Sequence, residues 1–461
     1  MDTLLPGAPD RVLPDSWLGQ PAAQQPAWPD PVALHAVTEQ LASLPPLVLW
    51  GECARLHDRL AAVARGEAFL LQGGDCAETF SGASADAVSS KLNTMLQMSA
   101  VLTYAAAVPV VNVGRLAGQY AKPRSKSTET RDGLTLPVYR GDAVNGFPFA
   151  ADARIPDPTR LLRVYQASSN TLNLVRAFMA GGYADFGQVH EWNRDFVEGS
   201  PLKTQYERLA DRIDHTLDFM RATGARPEDF DRPEFFVSHE GLLLDYESAL
   251  TRRDALTGVA YAASGHMLWI GERTRALDGA HIEFFSHIAN PIGVKLGPAT
   301  TADTALRLVD RLDPKRVPGR LTFITRMGCE KVRDVLPSLV GKVTASGAQV
   351  AWICDPMHGN TIEAPSGHKT RRFDDVLDEV SGFFEVHREL GTHAGGIHVE
   401  LTGDDVTECV GGGHEINFVD LASRYESTCD PRLNRRQSLD LAFLVAEFLL
   451  DTARRRRGST V

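Results

Sequence analysis

The sequence predicts an α/β fold in which eight parallel strands close into a (β/α)₈ barrel. Eight short apolar runs recur between residues 68 and 401, and most of the segments between them repeat apolar residues at helix spacing. Polar or charged residues follow nearly every run. A closed ring brings all eight strand ends to one mouth, whereas an open doubly wound sheet, the alternative, concentrates its site at one switch point.

The predicted strands are mostly apolar rather than alternating, which is typical of strands buried on both faces of a parallel sheet. The intervening segments at 301–312, 329–343 and 373–390 have the helix period. The eight predicted strands are residues 68–72, 109–114, 234–240, 267–271, 293–297, 321–325, 350–355 and 396–401.

Two segments do not fit a simple barrel. Residues 1–60 are rich in Pro, Ala and Gln, carry one helical pattern at 31–43, and are predicted to form an N-terminal extension packed on the barrel domain at 61–461. The connection after the second strand is too long for one crossover helix. It contains an inserted helical pair within about 158–225, at 158–180 and 202–223, which suits a lid, a regulatory insertion or an oligomer contact.

Composition excludes several classes of function. The chain has 461 residues, 43% of them hydrophobic, and 59 acidic against 48 basic residues give a net charge of -11. Such a charge disfavours binding to nucleic acid and to anionic membranes. The first residues lack a secretory pattern and no apolar run is long enough to span a bilayer, so we expect a cytoplasmic protein. The basic tail at 454–457 is interpreted as a solvated end.

Metal-binding side chains lie at the ends of neighbouring strands. Six cysteines without a CxxC pair argue against a disulfide scaffold or a structural zinc site, so a cysteine that matters acts singly. A thiolate, an imidazole and two carboxylates suit Mn²⁺, Co²⁺, Fe²⁺ or Zn²⁺ better than Mg²⁺ or Ca²⁺. The predicted ligands are Cys76, His358, Glu400 and Asp430, with Asp75, Glu78 and His398 as weaker candidates that strand alternation points away.

The remaining strand ends are cationic. So many cations at one mouth of an acidic protein indicate anionic ligands, and the planar fork of arginine suits phosphate and carboxylate. A carbonyl compound on the metal with phosphates on the cations leaves aldol-type bond formation, phosphoryl transfer and phosphatase chemistry open. The residues are Arg115, Lys122, Arg124, Arg273 beside Glu272, Lys295 and Arg326.

Nine motifs carry a family resemblance. In order they are GGDCAETF, GRLAGQYAKPRS, SHEGLLLDYE, WIGERTR, ANPIGVKLGP, TRMG, CDPMHGNT, GGIHVELTG and CDPRLN. From about residue 20 to 450 the chain resembles the type II 3-deoxy-D-arabino-heptulosonate 7-phosphate (DAHP) synthases. The resemblance implies a (β/α)₈ barrel with an N-terminal extension and an inserted helical pair. It also implies condensation of phosphoenolpyruvate with erythrose 4-phosphate, the first step of the shikimate pathway to the aromatic amino acids.

The resemblance implies a role for each matching residue. The metal, Mn²⁺ or Co²⁺ in the first place and Zn²⁺ or Fe²⁺ otherwise, would be held by Cys76, His358, Glu400 and Asp430. Proton transfers would fall to Lys122, Glu272 and Lys295. Erythrose 4-phosphate would face Lys122, Arg124 and Ser125. Phosphoenolpyruvate would be held by Arg115, Glu272, Arg273, Lys295 and Arg326.

The resemblance leaves several alternatives open. A homologue that makes the amino analogue of DAHP for an antibiotic starter unit needs hardly any change in these motifs, and a catalytically silent regulatory homologue is the alternative from another class. A homo-oligomer, dimer or tetramer, is expected, with a chorismate mutase as a candidate partner. Inhibition by aromatic amino acids is open, and a Cys76–Cys429 disulfide would displace the metal if the two sulfurs lie close enough.

Overall fold

The barrel is built from eight strands that lie at the predicted positions. The structure, a computed structural model, describes residues 12–181, 186–223 and 234–458. Neighbouring strands pair in parallel in sequence order, and the first also pairs with the last, which confirms the predicted closed barrel. The strands are Phe69–Gly74 (β1), Val110–Arg115 (β2), Phe235–Glu240 (β3), Met267–Ile270 (β4), Ile292–Leu296 (β5), Leu321–Thr325 (β6), Ala351–Cys354 (β7) and Gly396–Glu400 (β8).

Helices surround this ring. The three segments predicted from the helix period at 301–312, 329–343 and 373–390 are helical, as α9, α10 and α11 of the following series. The helices are Pro31–Ser43 (α1), Trp50–Ala64 (α2), Ala85–Ala106 (α3), Arg160–Ala180 (α4), Phe186–Gly199 (α5), Lys203–Ala222 (α6), Leu244–Ala249 (α7), Ala280–Ser286 (α8), Ala302–Leu312 (α9), Val332–Ala345 (α10), Phe373–Glu389 (α11) and Arg435–Gly458 (α12).

Three antiparallel hairpins, which the sequence patterns do not predict, lie in loops outside the barrel. Each has strands of only three or four residues, too short to show a period. They pair Thr128–Arg131 with Leu134–Pro137, Thr251–Arg253 with Ala260–Ala262, and Thr361–Glu363 with Lys369–Arg371.

The N-terminal extension is part of the barrel's core. Helix α1 is present as predicted, but α2 was not predicted, and the domain boundary that we place at residue 60 falls inside it. Leu56, Leu60 and Val63 of α2 pack against inward-facing barrel residues such as Leu70 and Ile353. Helix α2 therefore closes the barrel at the end opposite the mouth.

The insertion after β2 contains the two predicted helices, α4 and α6, and a third between them, α5. Where a helical pair was expected, the described residues of the insertion form three helices. The signal for α5 is weak because its apolar residues are few, although Val189, Trp192 and Phe196 do keep helix spacing. Val189 packs against Leu96 and Ala100 of α3. The insertion is thereby tied to the barrel's first helix.

The inside of the barrel changes from apolar to polar along its axis. At the α2 end the inward residues are aliphatic and aromatic, including Phe236 and Ile324. One layer further on, Gln72 Nε2 donates to Ser238 Oγ at 2.9 Å, and Gln72 Oε1 lies 2.8 Å from His398 Nδ1. Because strand side chains alternate, the next inward residue of each strand reaches the mouth at the carboxyl ends.

The two ends of the chain lie partly outside the described structure. The first eleven residues belong to the undescribed part, and so do the side chains of the basic tail at 454–457. Within the described residues, every helix is either too short or too polar to span a bilayer.

The packing of α2 gives a testable prediction. Leu60→Ala removes a fully buried side chain from the barrel floor, and we expect it to lower the free energy of unfolding by about 2–5 kcal/mol. Val32→Ala is the matched control, since Val32 of α1 is 79% exposed. Urea unfolding followed by circular dichroism measures both variants. Equal stabilities for Leu60→Ala and wild type would contradict the role of α2 as a floor.

Candidate active site

The four predicted metal ligands meet at the mouth of the barrel. Cys76 follows β1 by two residues, Glu400 ends β8, and Asp430 lies in the loop after β8. The ligand atoms of these three residues lie within 4.8 Å of one another. His358, in the loop after β7, is outside that group, but its Nε2 lies 3.0 Å from Glu400 Oε1. The structure therefore brings a thiol, an imidazole and two carboxylates together.

The ammonium of Lys122 lies among these four side chains. Its Nζ is 3.0 Å from Cys76 Sγ, 3.0 Å from Glu400 Oε1 and 3.2 Å from Asp430 Oδ2. The distance to His358 Nε2 is 3.4 Å. Lys122 was predicted as a substrate-binding and catalytic residue rather than a neighbour of all the metal ligands. A cation thus stands at the point on which the four donors converge.

The donor set fits a divalent metal of the borderline class. Burial alone would raise the pKa of Glu400, but His358 and Lys122 hold that pKa well below its usual range. Lys122 likewise outweighs burial and lowers the pKa of Asp430. Both carboxylates are therefore anionic. Burial raises the pKa of the Cys76 thiol, which would lose its proton on binding a metal.

Asp355, which we did not predict, orients His358. It follows β7 directly and lies three residues before His358, and its Oδ2 is 2.8 Å from His358 Nδ1. This contact leaves Nε2 facing Glu400, as in the carboxylate–histidine pairs that orient metal ligands. Asp355 also forms a buried ion pair with Lys295 of β5. The order Asp-x-x-His after a strand was the available signal for this role.

The hairpin after β7 supplies two cations that sequence reasoning missed. Arg371 Nη1 lies 2.9 Å from Glu400 Oε2, and Lys369 Nζ lies 2.9 Å from Asp430 Oδ1. Arg371 is fully buried. These contacts compensate the charge of the two carboxylates on the side away from Lys122. A three-residue strand gives no periodic signal from which these positions could be predicted.

Three of the predicted phosphoenolpyruvate residues reach toward the metal cluster. Arg115, the last residue of β2, is buried and donates to Glu400 Oε1 at 2.9 Å. Lys295 Nζ lies 3.0 Å from His398 Nε2. Burial lowers the pKa of Lys295 to about 8, while Asp355 raises it. Arg326, just after β6, donates to the backbone oxygen of His358 at 2.6 Å.

Glu272 and Arg273, just after β4, lie beside this group. Glu272 Oε2 accepts the backbone N–H of Gly297 at 2.7 Å, and its Oε1 pairs with Arg275 at 2.5 Å. A Cβ at Gly297 would lie 3.0 Å from Arg326 Nη1 and 3.1 Å from the Glu272 carboxylate. Glycine at this position therefore lets Glu272 and Arg326 approach each other across β5.

The predicted erythrose 4-phosphate segment is held from two sides. Arg273 donates to Ser125 Oγ at 2.6 Å, which joins the residues predicted for the two substrates. The backbone N–H of Arg124 donates to Gln24 Oε1 at 2.9 Å. Gln24 belongs to the N-terminal extension, so the extension reaches both the mouth and the floor of the barrel.

The three weaker candidates differ in where their side chains point. His398 was expected to point away from the site, and this expectation is wrong, since residues 398 and 400 of one strand share a face. Its Nε2 contacts Arg115 and Lys295. Asp75 does point away and pairs with Lys91 and Arg432. The carboxylate of Glu78 accepts three backbone N–H groups, from Ala117, Gly118 and Gln119.

Glu240, the last residue of β3, was also missed. Its Oε1 is buried with no hydrogen-bond partner in the described part of the chain. Burial raises the pKa of Glu240, and Lys122 and Lys295 lower it. The effect of burial is the larger, so the pKa of Glu240 lies above its usual value and the ionised form is disfavoured.

The cysteines of this region are reduced. All six cysteines, each within the described residues, are free thiols. Cys76 and Cys429 pack together with Tyr139, and the backbone N–H of Asp430 donates to Cys76 Sγ at 3.3 Å. The two thiols are neighbours, and a disulfide between them stays a prediction.

Comparison with known proteins places this chain in a family. The model of the Class-II DAHP synthetase family matches residues 12–446. A phospho-2-dehydro-3-deoxyheptonate aldolase of Streptomyces coelicolor is 70% identical over 437 residues, which are 95% of this chain and 97% of that protein. The AroG enzyme of the same name from Mycolicibacterium smegmatis is 56% identical over 442 residues, 95% and 94% of the two chains.

Among solved structures, the phospho-2-dehydro-3-deoxyheptonate aldolase from Francisella tularensis SCHU S4 covers 89% of this chain and 96% of its own. The sequence identity is 13% and the TM-score is 0.48, so this likeness carries no weight. The family match and the two bacterial relatives cover nearly the whole chain. This chain belongs to the Class-II DAHP synthetase family.

Proposed function

We propose that this chain condenses phosphoenolpyruvate, erythrose 4-phosphate and water to DAHP and inorganic phosphate. The observation that carries the proposal is the meeting of four metal donors with a set of buried cations at one barrel mouth. The relatives at 70% and 56% identity are both named for this reaction, so the amino-sugar alternative is not favoured. All the site residues are intact, which argues against a catalytically silent homologue.

Cys76, His358, Glu400 and Asp430 would hold the metal, for which Mn²⁺ or Co²⁺ is our choice. When bound, a divalent cation supplies Lewis-acid stabilisation of the negative charge that develops on a carbonyl oxygen. Two of the donors are carboxylates whose pKa values are held low, and this favours a cation between them.

Phosphoenolpyruvate binding is assigned to the cations beside the metal donors. Its phosphate and carboxylate match the forked donors of Arg115, which contacts Glu400, and of Arg326, which contacts the backbone of His358. Lys295, Glu272 and Arg273 complete the set. Because Arg326 is bonded to the loop of His358, substrate and metal share one scaffold.

Erythrose 4-phosphate would lie against Lys122, Arg124 and Ser125. The enol carbon C3 of phosphoenolpyruvate bonds to the aldehyde carbon, water adds at C2, and the C2–O bond to phosphate breaks. The water loses both protons as its oxygen becomes the C2 carbonyl oxygen: one proton goes to the former aldehyde oxygen and the other to the departing phosphate. Lys122 Nζ, next to the metal donors, is placed to give a proton, and Glu272 and Lys295 are assigned to the remaining transfers.

Partners beyond the substrates stay predictions. These are the homo-oligomer, dimer or tetramer, and the chorismate mutase partner. Feedback inhibition by aromatic amino acids is open in the same way.

Metal removal tests the proposed reaction. With both substrates, loss of the 232 nm absorbance of phosphoenolpyruvate should stop after treatment with EDTA, because the donor set then lacks its cation. Added Mn²⁺ or Co²⁺ should restore it. Undiminished turnover in EDTA would exclude a metal-dependent reaction, and no consumption with any metal would exclude the synthase function.

A cysteine variant tests the ligand set. Cys76→Ala removes the thiolate, and we expect turnover with Mn²⁺ to fall by about 100-fold or more while the circular dichroism spectrum stays that of wild type. Cys53→Ala is the matched control, since Cys53 is an equally buried free thiol, on α2. Wild-type activity in Cys76→Ala would remove this residue from the metal site.

A further inference from the structure

Two loops at the mouth are in direct contact. The loop after β6 carries Arg326, and the loop after β7 carries His358, whose backbone oxygen accepts from Arg326 Nη2 at 2.6 Å. A Cβ at Gly359 would lie 2.6 Å from the Cα of Gly328. The two backbones therefore touch at a pair of glycines, and a shift of one loop must move the other.

Glu379 of α11 binds both loops with one carboxylate. Its Oε1 accepts the backbone N–H groups of Met327 at 2.7 Å and Gly328 at 2.9 Å. Its Oε2 accepts from Asn360 Nδ2 at 2.8 Å. Asn360 Oδ1 in turn accepts the backbone N–H of Cys329 at 3.0 Å. Glu379 thus links the loop of Arg326 to the loop of His358.

Glu379 has no cationic partner in the described part of the chain. Its side chain is fully buried, and in the described ranges no Lys, Arg or His lies within ion-pair distance of it. Burial raises the pKa of Glu379 to about 8, and the N–H donors lower it. Burial thus disfavours the ionised form, and the N–H groups that donate to both oxygens favour it. An apolar residue would be buried at lower cost, so hydrogen bonds to the two loops are what the carboxyl group contributes at this position.

We propose that Glu379 is a positioning residue that holds Arg326 and His358 in register, so that phosphoenolpyruvate binding and metal binding depend on one carboxylate. The inference rests on the proposed function, because the roles of Arg326 and His358 come from it. Glu379 itself touches neither substrate nor metal. Loss of its bonds should weaken both kinds of binding together.

The experiment uses Glu379→Gln in the full-length protein. Glutamine keeps the size of the side chain, but its NH2 group replaces one acceptor oxygen. That NH2 group must face another donor, either Asn360 Nδ2 or the two backbone N–H groups. We expect the dissociation constant for Mn²⁺, measured by calorimetry without substrates, to rise about 10- to 100-fold. KM for phosphoenolpyruvate should rise about tenfold, while KM for erythrose 4-phosphate stays within about twofold.

Two controls separate positioning from stability. Asp440→Asn changes another buried acid, which accepts from Tyr206 and from the backbone of Gly413 and touches no site residue. Glu385→Gln changes an acid of α11 that pairs with Arg333 on the surface. Both should keep the wild-type Mn²⁺ affinity and KM values. If Glu379→Gln only lowers the unfolding temperature, as Asp440→Asn should, the inference is overturned.

Two further variants, one double and one single, keep the inference testable even if Glu379→Gln does not fold. Glu379→Gln with Asn360→Asp reverses the donor and acceptor across the bond, and it should recover part of the loss in both constants. No recovery would count against the carboxylate–amide bond as the link. Should Glu379→Gln fail to fold, Gly359→Ala replaces it, because the added Cβ pushes on Gly328. This variant must weaken the binding of Mn²⁺ and of phosphoenolpyruvate together. An unchanged Mn²⁺ dissociation constant and an unchanged KM for phosphoenolpyruvate would overturn the inference.

The two proposals fail in different ways. If wild type consumes no phosphoenolpyruvate with any metal, the proposed function fails. If wild type is active and Glu379→Gln keeps the wild-type Mn²⁺ affinity and KM values, only the positioning role fails.

Discussion

The buried carboxylate of Glu400 is the interaction on which the rest of the mouth depends. It is fully buried at the end of β8, and Arg115, Lys122, His358 and Arg371 all lie within 3.0 Å of it. Those four side chains come from the end of β2 and the loop after it, and from the loop and the hairpin after β7. Removing one partner of such a cluster leaves buried charge without compensation, which is costly. The loops at this end of the barrel are therefore constrained to positions that keep these charges paired.

Buried acids outside the metal set anchor these loops by their backbones. Glu78 accepts three consecutive backbone N–H groups in the loop after β2, and Glu379 accepts two, from Met327 and Gly328, in the loop after β6. Glu408 accepts the N–H groups of Ser427 and Arg432, on either side of Asp430. The side chains that we propose to bind metal and substrates are thus carried by backbone that is itself held by fixed acceptors, as a preorganised site requires.

Much of this arrangement follows from local patterns in the sequence. All eight strands were predictable because buried parallel strands are short apolar runs bounded by polar residues. The convergence of Cys76, His358, Glu400 and Asp430 followed from the rule that parallel strands end at one mouth. Lys295 and Arg326 were predicted in the same way, although the roles of all these residues remain proposals.

The parts that escaped prediction depend on long-range packing. Helix α2 belongs to the barrel floor because Leu56 and Leu60 meet strands that lie far along the chain, and nothing near them in sequence indicates this. Arg371 and Lys369 act through a hairpin too short to have a period. The error on His398 is of another kind, because the alternation rule, correctly counted from Glu400, places it inside the barrel.

We propose that Cys76, His358, Glu400 and Asp430 form one metal site at the barrel mouth. Anomalous diffraction at the manganese edge, from crystals soaked in Mn²⁺, tests it most directly. We expect one strong peak within bonding distance of all four side chains, with the ammonium of Lys122 moved from its place among them. A peak elsewhere, or one at the mouth that Cys76 does not contact, would contradict it.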